Sequence, residues 1–275
     1  MIQPTVFADP MAVGAALADE IAGRIAAAAT QGSRFALGCP GGRSPIPTYR
    51  ALVEQVRRRD LDLRPLTIVM MDEYVEPAGT AYRPVPRTAH YSVVRFAAEH
   101  LIGPLNDAAG PGRSMAPDRL LFPDPADPGA YEDQLDRIGG VDLFILACGD
   151  SDGHVAFNPP GSGSDTQTRV IPLADSTRGD NLRTFPQFEN LDQVPRFGIS
   201  IGVGTIARVS RRAVMIATGT AKRIAVQRIC SAEDYDPQWP ATVLLRCRHA
   251  SLYTDFAATL VGPPAVALTH PQASP

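Results

Sequence analysis

The sequence predicts one α/β domain, doubly wound and Rossmann-like, in which a mostly parallel sheet carries helices on both faces. Three observations predict it. Short apolar runs recur along the chain: RFALGC (34–39), LTIVMM (66–71), VDLFILACG (141–149), FGISIGVG (197–204), AVMIATG (213–219) and SLYTDF (251–256). Runs without polar alternation are the pattern of strands buried on both faces. Helix-like segments separate most of them, which is the connectivity of parallel strands. Finally, 275 residues with 44% hydrophobic and 20% charged side chains suit a single large sheet with ample core.

The elements follow in order. Residues 11–29 carry Val13, Leu17, Ile21 and Ile25 at i+4 spacing, with Glu20 four before Arg24 on another face, which predicts an amphipathic helix. The strand at 34–39 ends at a Pro-Gly-Gly turn, after which Ser44 as N-cap and Pro45 as first helical residue open a second helix to about Arg58. Further helices are expected over 90–101, 129–138 and 220–230. The Pro/Gly-rich stretches 77–86, 103–128 and 158–164 read as surface loops. No internal repeat or low-complexity linker divides the chain. The domain is therefore expected over 1–262, with 263–275 a loosely held tail.

Composition narrows the function classes. A net charge of −3 provides no general basic surface, so neither nucleic acid nor an anionic membrane is an expected partner. Cys39, Cys148, Cys230 and Cys247 are scattered with no C-x-x-C pair, which predicts reduced thiols and a cytoplasmic protein. MIQPTVFADP has neither the basic start nor the apolar core of a signal peptide, and no apolar run approaches the roughly 18 residues that span a bilayer. Of 26 basic residues only Lys222 is lysine. Against a bias to arginine, this lysine is a candidate for work that needs a compact ammonium.

Ligands of open α/β sheets bind at the carboxyl ends of the strands, so the turns there are where chemistry is sought. After the first run, Gly41-Gly42-Arg43-Ser44 offers a close backbone approach and a helix N-terminus to an anion, although a Gly-Gly pair is more often just a tight turn. The spacing of a Walker loop is absent. After the second run stand Asp72 and Glu73. One reading has them capping a turn and facing solvent; the other makes one a base able to take a proton from a carbon beside a carbonyl. After the third come Asp150, Asp152 and His154. An aspartate two residues before a histidine, across a glycine, can orient the imidazole and stabilise its protonated form. The alternative is a satisfied turn histidine. A calcium loop is excluded because its twelfth position is Gly161, and no metal-ligand spacing is present. Arg169, Arg178 and Arg183 lie in a polar segment that is a candidate phosphate clamp and lid. Lys222 opens the last expected helix.

Taken in order, GGRSPIPTY, MMDEYV, AHYS, SDGHVAFN, the STR ending at Arg178, NLDQVPRFGISIGVGTI and GTAK resemble the glucosamine-6-phosphate deaminase (isomerase) and 6-phosphogluconolactonase superfamily, over nearly the whole chain to about residue 256. DEY, DGH-x-AFN and the GVGT segment resemble its deaminase branch. The resemblance implies that Gly41, Gly42 and Ser44 cradle a sugar phosphate with Arg178 and Lys222, and Arg43 in the same turn is a further candidate phosphate contact. It implies that Asp72 moves a proton between C2 and C1 of an opened sugar, and that His154, oriented by Asp152, opens the ring. It implies a ketose phosphate and ammonia as products, with no cofactor and no metal. A homo-oligomer is compatible with it.

Departures from the pattern mark positions of altered specificity. Pro159 stands where deaminases carry a glutamate after AFN, Asp150 replaces a usual glycine, Arg43 replaces a small residue, and Glu73 neighbours the proposed base. Lactonases share DGH and also lack that glutamate, but carry arginine where Tyr74 stands. A sugar-lactone phosphate hydrolase, or a repurposed sensor of an amino-sugar phosphate, is therefore the alternative to a hexose or hexosamine 6-phosphate isomerase.

Overall fold

The computed structural model describes residues 1–259. Among these, eleven strands follow one another as β1 (Pro4–Phe7), β2 (Phe35–Cys39), β3 (Leu66–Met70), β4 (Asp72–Ala78), β5 (Ala81–Pro84), β6 (Leu120–Leu121), β7 (Leu143–Ala147), β8 (Arg169–Pro172), β9 (Phe197–Ser200), β10 (Ala213–Ala217) and β11 (Ala250–Asp255). The helices are α1 (Pro10–Gln31), α2 (Ile46–Arg59), α3 (Val93–Ala97), α4 (Gly103–Ala109), α5 (Pro128–Arg137), α6 (Asp175–Thr184), α7 (Val203–Val209) and α8 (Arg223–Ser231), with a π-helical turn at Ala98–Ile102 joining α3 to α4.

Seven strands form one sheet in the order β1-β11-β10-β7-β2-β3-β6, and every pairing in it is parallel. Successive residues of a strand point to opposite faces, and the chain uses both. Leu143 and Ile145 of β7 and Val214 and Ile216 of β10 pack under α1 to α4. Phe144 and Leu146, with Met215 and Ala217, pack under α5, α7 and α8. The unbroken apolar runs are thus two cores read from one strand. Helix α1 begins with Asp9 accepting from Ala12 N at 2.8 Å. Val13, Leu17, Ile21 and Ile25 are buried as their spacing predicted, and Glu20 pairs with Arg24 at 2.9 Å and with Arg212 at 2.7 Å.

Several expectations are corrected. The run 197–204 is not a strand of the main sheet. It supplies β9 to a second, antiparallel sheet of order β5-β4-β9-β8, then turns into α7. An apolar run of eight residues does not distinguish a strand from a strand followed by a buried helix start. Asp72 and Glu73 are not in a turn either: after Met71 the chain continues directly as β4, pairing Asp72 with Ser200 and Glu73 with Ile199. The expected loop 77–86 is the β4–β5 hairpin, and the expected loop 103–128 contains α4 and β6. Pro45, not Ser44, is the N-cap of α2, and no side chain bonds there. Strand β1 went unread because four residues pairing only with β11 leave no periodic signal. The expected tail at 263–275 lies outside the described residues. Among the described residues, no helix is long and apolar enough to cross a membrane.

Candidate active site

The chain leaves β2 towards β3 and β6 on one side, then returns through β7 towards β10 and β11 on the other. The carboxyl ends of β2 and β7 therefore flank the switch point of the sheet, where open α/β folds bind ligands. A cleft of about 410 Å³ opens there. Four strand ends line it: Pro40 to Ser44 after β2, Asp72 after β3, Cys148 to Asp150 and His154 after β7, and Thr218 and Lys222 after β10. The expected turns thus converge, and α6 closes one wall with Thr177, Asp180, Asn181 and Thr184.

After β2, the turn is anchored by Tyr49, whose hydroxyl donates to Pro40 O at 2.8 Å. Gly41, Gly42, Arg43 and Ser44 all face the cleft. Among the described residues, Arg43 takes part in no ion pair.

Asp72 is 6% exposed. Burial first, and then the neighbouring Glu73 charge, push its carboxyl up to about 8. An acid so placed exchanges its proton near neutral pH, which is the property a general base needs. Glu73 points elsewhere. Its carboxylate accepts from Tyr74 N at 2.7 Å and from Ser92 Oγ, Val93 N and Val94 N at 2.9 Å each, so it caps the start of α3 and does not line the cleft. The two adjacent acids divide into one facing the cleft and one structural cap. Replacing Glu73 by Ala leaves those buried donors without an acceptor, and a loss of about 2–3 kcal/mol of stability in urea melts is expected; an unchanged midpoint would deny the capping role.

After β7 the chain folds back on itself, Gly149 N donating to His154 O at 2.8 Å. His154 Nδ1 lies 2.8 Å from Asp152 Oδ1, which also accepts from His154 N at 3.0 Å. Two glycines make this possible. A Cβ on Gly149 would meet His154 Nδ1 at 2.2 Å, and Gly153 (φ +64°) has Trp239 where its Cβ would be, at 2.4 Å. Burial alone would raise the Asp152 carboxyl, but hydrogen bonds from His154 and Ser176 outweigh it and hold the group well below the usual carboxylate range. An ionised carboxylate only accepts, so Nδ1 carries the proton and Nε2 is the basic nitrogen. Ala156, which lines the cleft, adopts φ +50°, a left-handed conformation unusual outside glycine and often found at functional sites.

Sequence reasoning missed the contribution of α6. Ser176 Oγ donates to Asp152 Oδ2, and Thr177 Oγ1 lies 3.3 Å from His154 Nδ1. The signal was present as polar residues at 177, 180, 181 and 184, one face of a helix. Pro159 is not at the cleft; its carbonyl accepts from Ser162 Oγ at 2.7 Å. So the side chains beside Nδ1 are one carboxylate and a threonine hydroxyl.

Arg178 also departs from expectation. It is buried with its guanidinium on Asp175 (2.9 Å), Leu191 O (2.6 Å) and Val194 O (3.4 Å), and it does not line the cleft. One residue past Thr177, it is turned about 100° off the cleft face of α6. Arg183, also outside the cleft lining, pairs with Asp180 and lies 3.8 Å from Asp150, both of which line the cleft. Lys222 is 8% exposed, and its Nζ contacts Cys148 O and Asp150.

A buried aspartate titrating near neutrality, a carboxylate-oriented histidine, and cations beside a glycine turn in one crevice define an acid/base enzyme cleft of the parallel α/β class. Comparison with known proteins agrees. Residues 8–254 match the family model described as glucosamine-6-phosphate isomerases/6-phosphogluconolactonase. A glucosamine-6-phosphate deaminase of Mycolicibacterium smegmatis is 36% identical over 92% of this chain and 90% of its own length. Glucosamine-6-phosphate deaminase 2 of Bacillus subtilis is 31% identical over 81% of this chain and 84% of its own. Among solved structures, a monomeric glucosamine-6-phosphate deaminase superposes with a TM-score of 0.79 at 23% identity, covering 94% of this chain and 98% of that one. The 6-phosphogluconolactonase of Trypanosoma brucei superposes with a TM-score of 0.65 at 20% identity, covering 94% and 98%; at these identities both speak for the fold. The chain belongs to the glucosamine-6-phosphate isomerase/6-phosphogluconolactonase family, and it is an enzyme of the deaminase-like kind.

Proposed function

We propose that the chain isomerises and deaminates a hexosamine 6-phosphate, giving a ketose 6-phosphate and ammonia. The observation that carries this is the pairing, in one crevice, of Asp72 with the Asp152–His154 couple. His154, holding one proton on Nδ1 for Asp152, shuttles the proton that opens the pyranose ring through Nε2. Asp72 then takes the proton from C2 of the open aldose as O1 gains one, giving an enolamine, and returns it to C1 as the amine gives up a proton, leaving an imine at C2. Water adds to that carbon and ammonia leaves. Gly41, Gly42, Arg43 and Ser44 with Lys222 receive the phosphate. A proton moved within the sugar needs no redox partner.

Glucosamine 6-phosphate supplied to the purified protein is expected to yield equal amounts of ammonia and ketose phosphate; absence of both would reject the reading. One observation favours a second reading. With Pro159 replacing a carboxylate, His154 has a single acid beside it, as the lactonase pattern predicts. Hydrolysis of 6-phosphogluconolactone above its spontaneous rate, without ammonia from the amino sugar, would favour that reading instead.

A further inference from the structure

The cations of the cleft are already occupied by acids of the same chain. Asp150 lies at the end of β7, and its two oxygens divide between two elements. Oδ1 pairs with Lys222 Nζ at the start of α8, and Oδ2 lies 3.8 Å from Arg183 Nη2 on α6. Asp180, one turn before Arg183, takes the same Nη2. Both aspartates line the cleft. Two cations and two carboxylates therefore leave this end of the crevice with no formal charge. Lys222 is 8% exposed, so water screens its pairing with Asp150 poorly. Arg43, across the glycine turn, is the cation lining the cleft that among the described residues enters no ion pair.

An anion approaching Lys222 meets a carboxylate already in the seat. It must displace that carboxylate, or bind beside it against like-charge repulsion in a poorly screened crevice. We propose that Asp150 is a specificity-determining residue that occupies the anion seat between Lys222 and Arg183 and lowers the affinity of the cleft for the substrate's phosphate. This rests on the reading of the cleft as a sugar-phosphate site. It makes Arg43 and the glycine turn the first contact for the phosphate, and Lys222 a contact available only once Asp150 moves aside. The chain would thus discriminate against small inorganic anions that offer no sugar contacts to offset that displacement.

The test is calorimetric titration of inorganic phosphate into the wild-type protein, Asp150→Asn and Asp150→Gly, with thermal melts confirming that each variant is folded. Asn keeps the shape and removes the charge; Gly removes the side chain altogether. Phosphate is expected to bind both variants tenfold or more tightly than wild type. For glucosamine 6-phosphate, the fall in KM is expected to exceed any change in kcat. Asp180→Asn, which leaves Asp150 in the seat against both Lys222 and Arg183, is expected to give a smaller gain. Phosphate affinity that is unchanged or weaker in both Asp150 variants would overturn the proposal and make Asp150 a structural tether for Lys222. Phosphate binding requires no turnover, so the two readings fail separately. Tighter phosphate binding in variants of a protein that releases no ammonia would uphold the seat and reject the deaminase. Ammonia release with unaltered phosphate binding would do the reverse.

Discussion

Asp72→Asn is expected to reduce turnover of glucosamine 6-phosphate by about 10²–10⁴-fold, the usual contribution of a positioned general base, while making the protein more stable in mild alkali. The two effects have one cause. The carboxyl sits near 8 in the folded chain because it is buried beside Glu73, against about 3.9 in an unfolded chain. Between those values the folded state holds a proton that the unfolded state has released. The group's contribution to stability is therefore fully present below about pH 4, declines as pH rises, and is lost once pH passes about 8. Asparagine has no such term. The melting temperature of Asp72→Asn relative to wild type should rise from pH 5 to pH 8.5, by an amount corresponding to a few kcal/mol. Turnover by the wild type should increase over the same range, because only the ionised carboxylate accepts a proton. A variant with near-normal turnover would remove Asp72 from the reaction. A melting difference independent of pH would mean that the carboxyl is not ionising there.

The sheet was legible because its strands are buried on both faces. Leu143 to Ala147 and Ala213 to Ala217 are apolar at almost every position, and the helices between them left few alternatives to a parallel order. The second sheet was not. Residues 66–71 read as one strand followed by a polar turn at Asp72 and Glu73, whereas the chain passes Met71 and resumes as β4 with Asp72 facing one side and Glu73 the other. Alternation over two residues is too short to be a pattern. The strand-end turns bring Asp72, His154 and Lys222 to one crevice, with Asp152 bonded behind the histidine, since in an open parallel sheet all carboxyl ends lie at one edge. Arg178 is a different case. Its neighbour Thr177 faces the cleft, whereas the Arg178 guanidinium turns onto Asp175, Leu191 O and Val194 O. A short motif matched in line names the helix but not the direction each side chain takes, and the polar segment that offered Arg178 as a clamp also offered Arg183, which pairs with Asp180 and lies near Asp150.

Asp152→Asn should resemble Asp72→Asn in activity and oppose it in stability. The Asp152 carboxylate accepts from the imidazole and the backbone of His154 and from the hydroxyl of Ser176. These donors hold it well below the usual carboxylate range despite burial. Here the folded state releases its proton more readily than the unfolded one. The stability this gives is present above about pH 4 and is lost as the pH falls through the folded-state value. Asparagine removes it, so the variant should be less stable than wild type at pH 7, by on the order of 2–3 kcal/mol, and the difference should shrink in acid. In the reaction, the amide can still accept from Nδ1 but carries no charge to stabilise the imidazolium formed when Nε2 takes up a proton, and its NH₂ competes as a donor to Nδ1 in the opposite tautomer. A fall in kcat of about 10²–10⁴-fold is expected, with KM changed far less because Asp152 is not among the residues lining the cleft. The discriminating measurement is the pair of variants together. Both inactive, with melting differences of opposite sign at pH 7 to 8.5, is the outcome that burial without donors at Asp72 and donors outweighing burial at Asp152 require. Loss of stability in both would show Asp72 to be held by a partner that compensates its burial, and the base near neutrality would have to be sought elsewhere in the cleft.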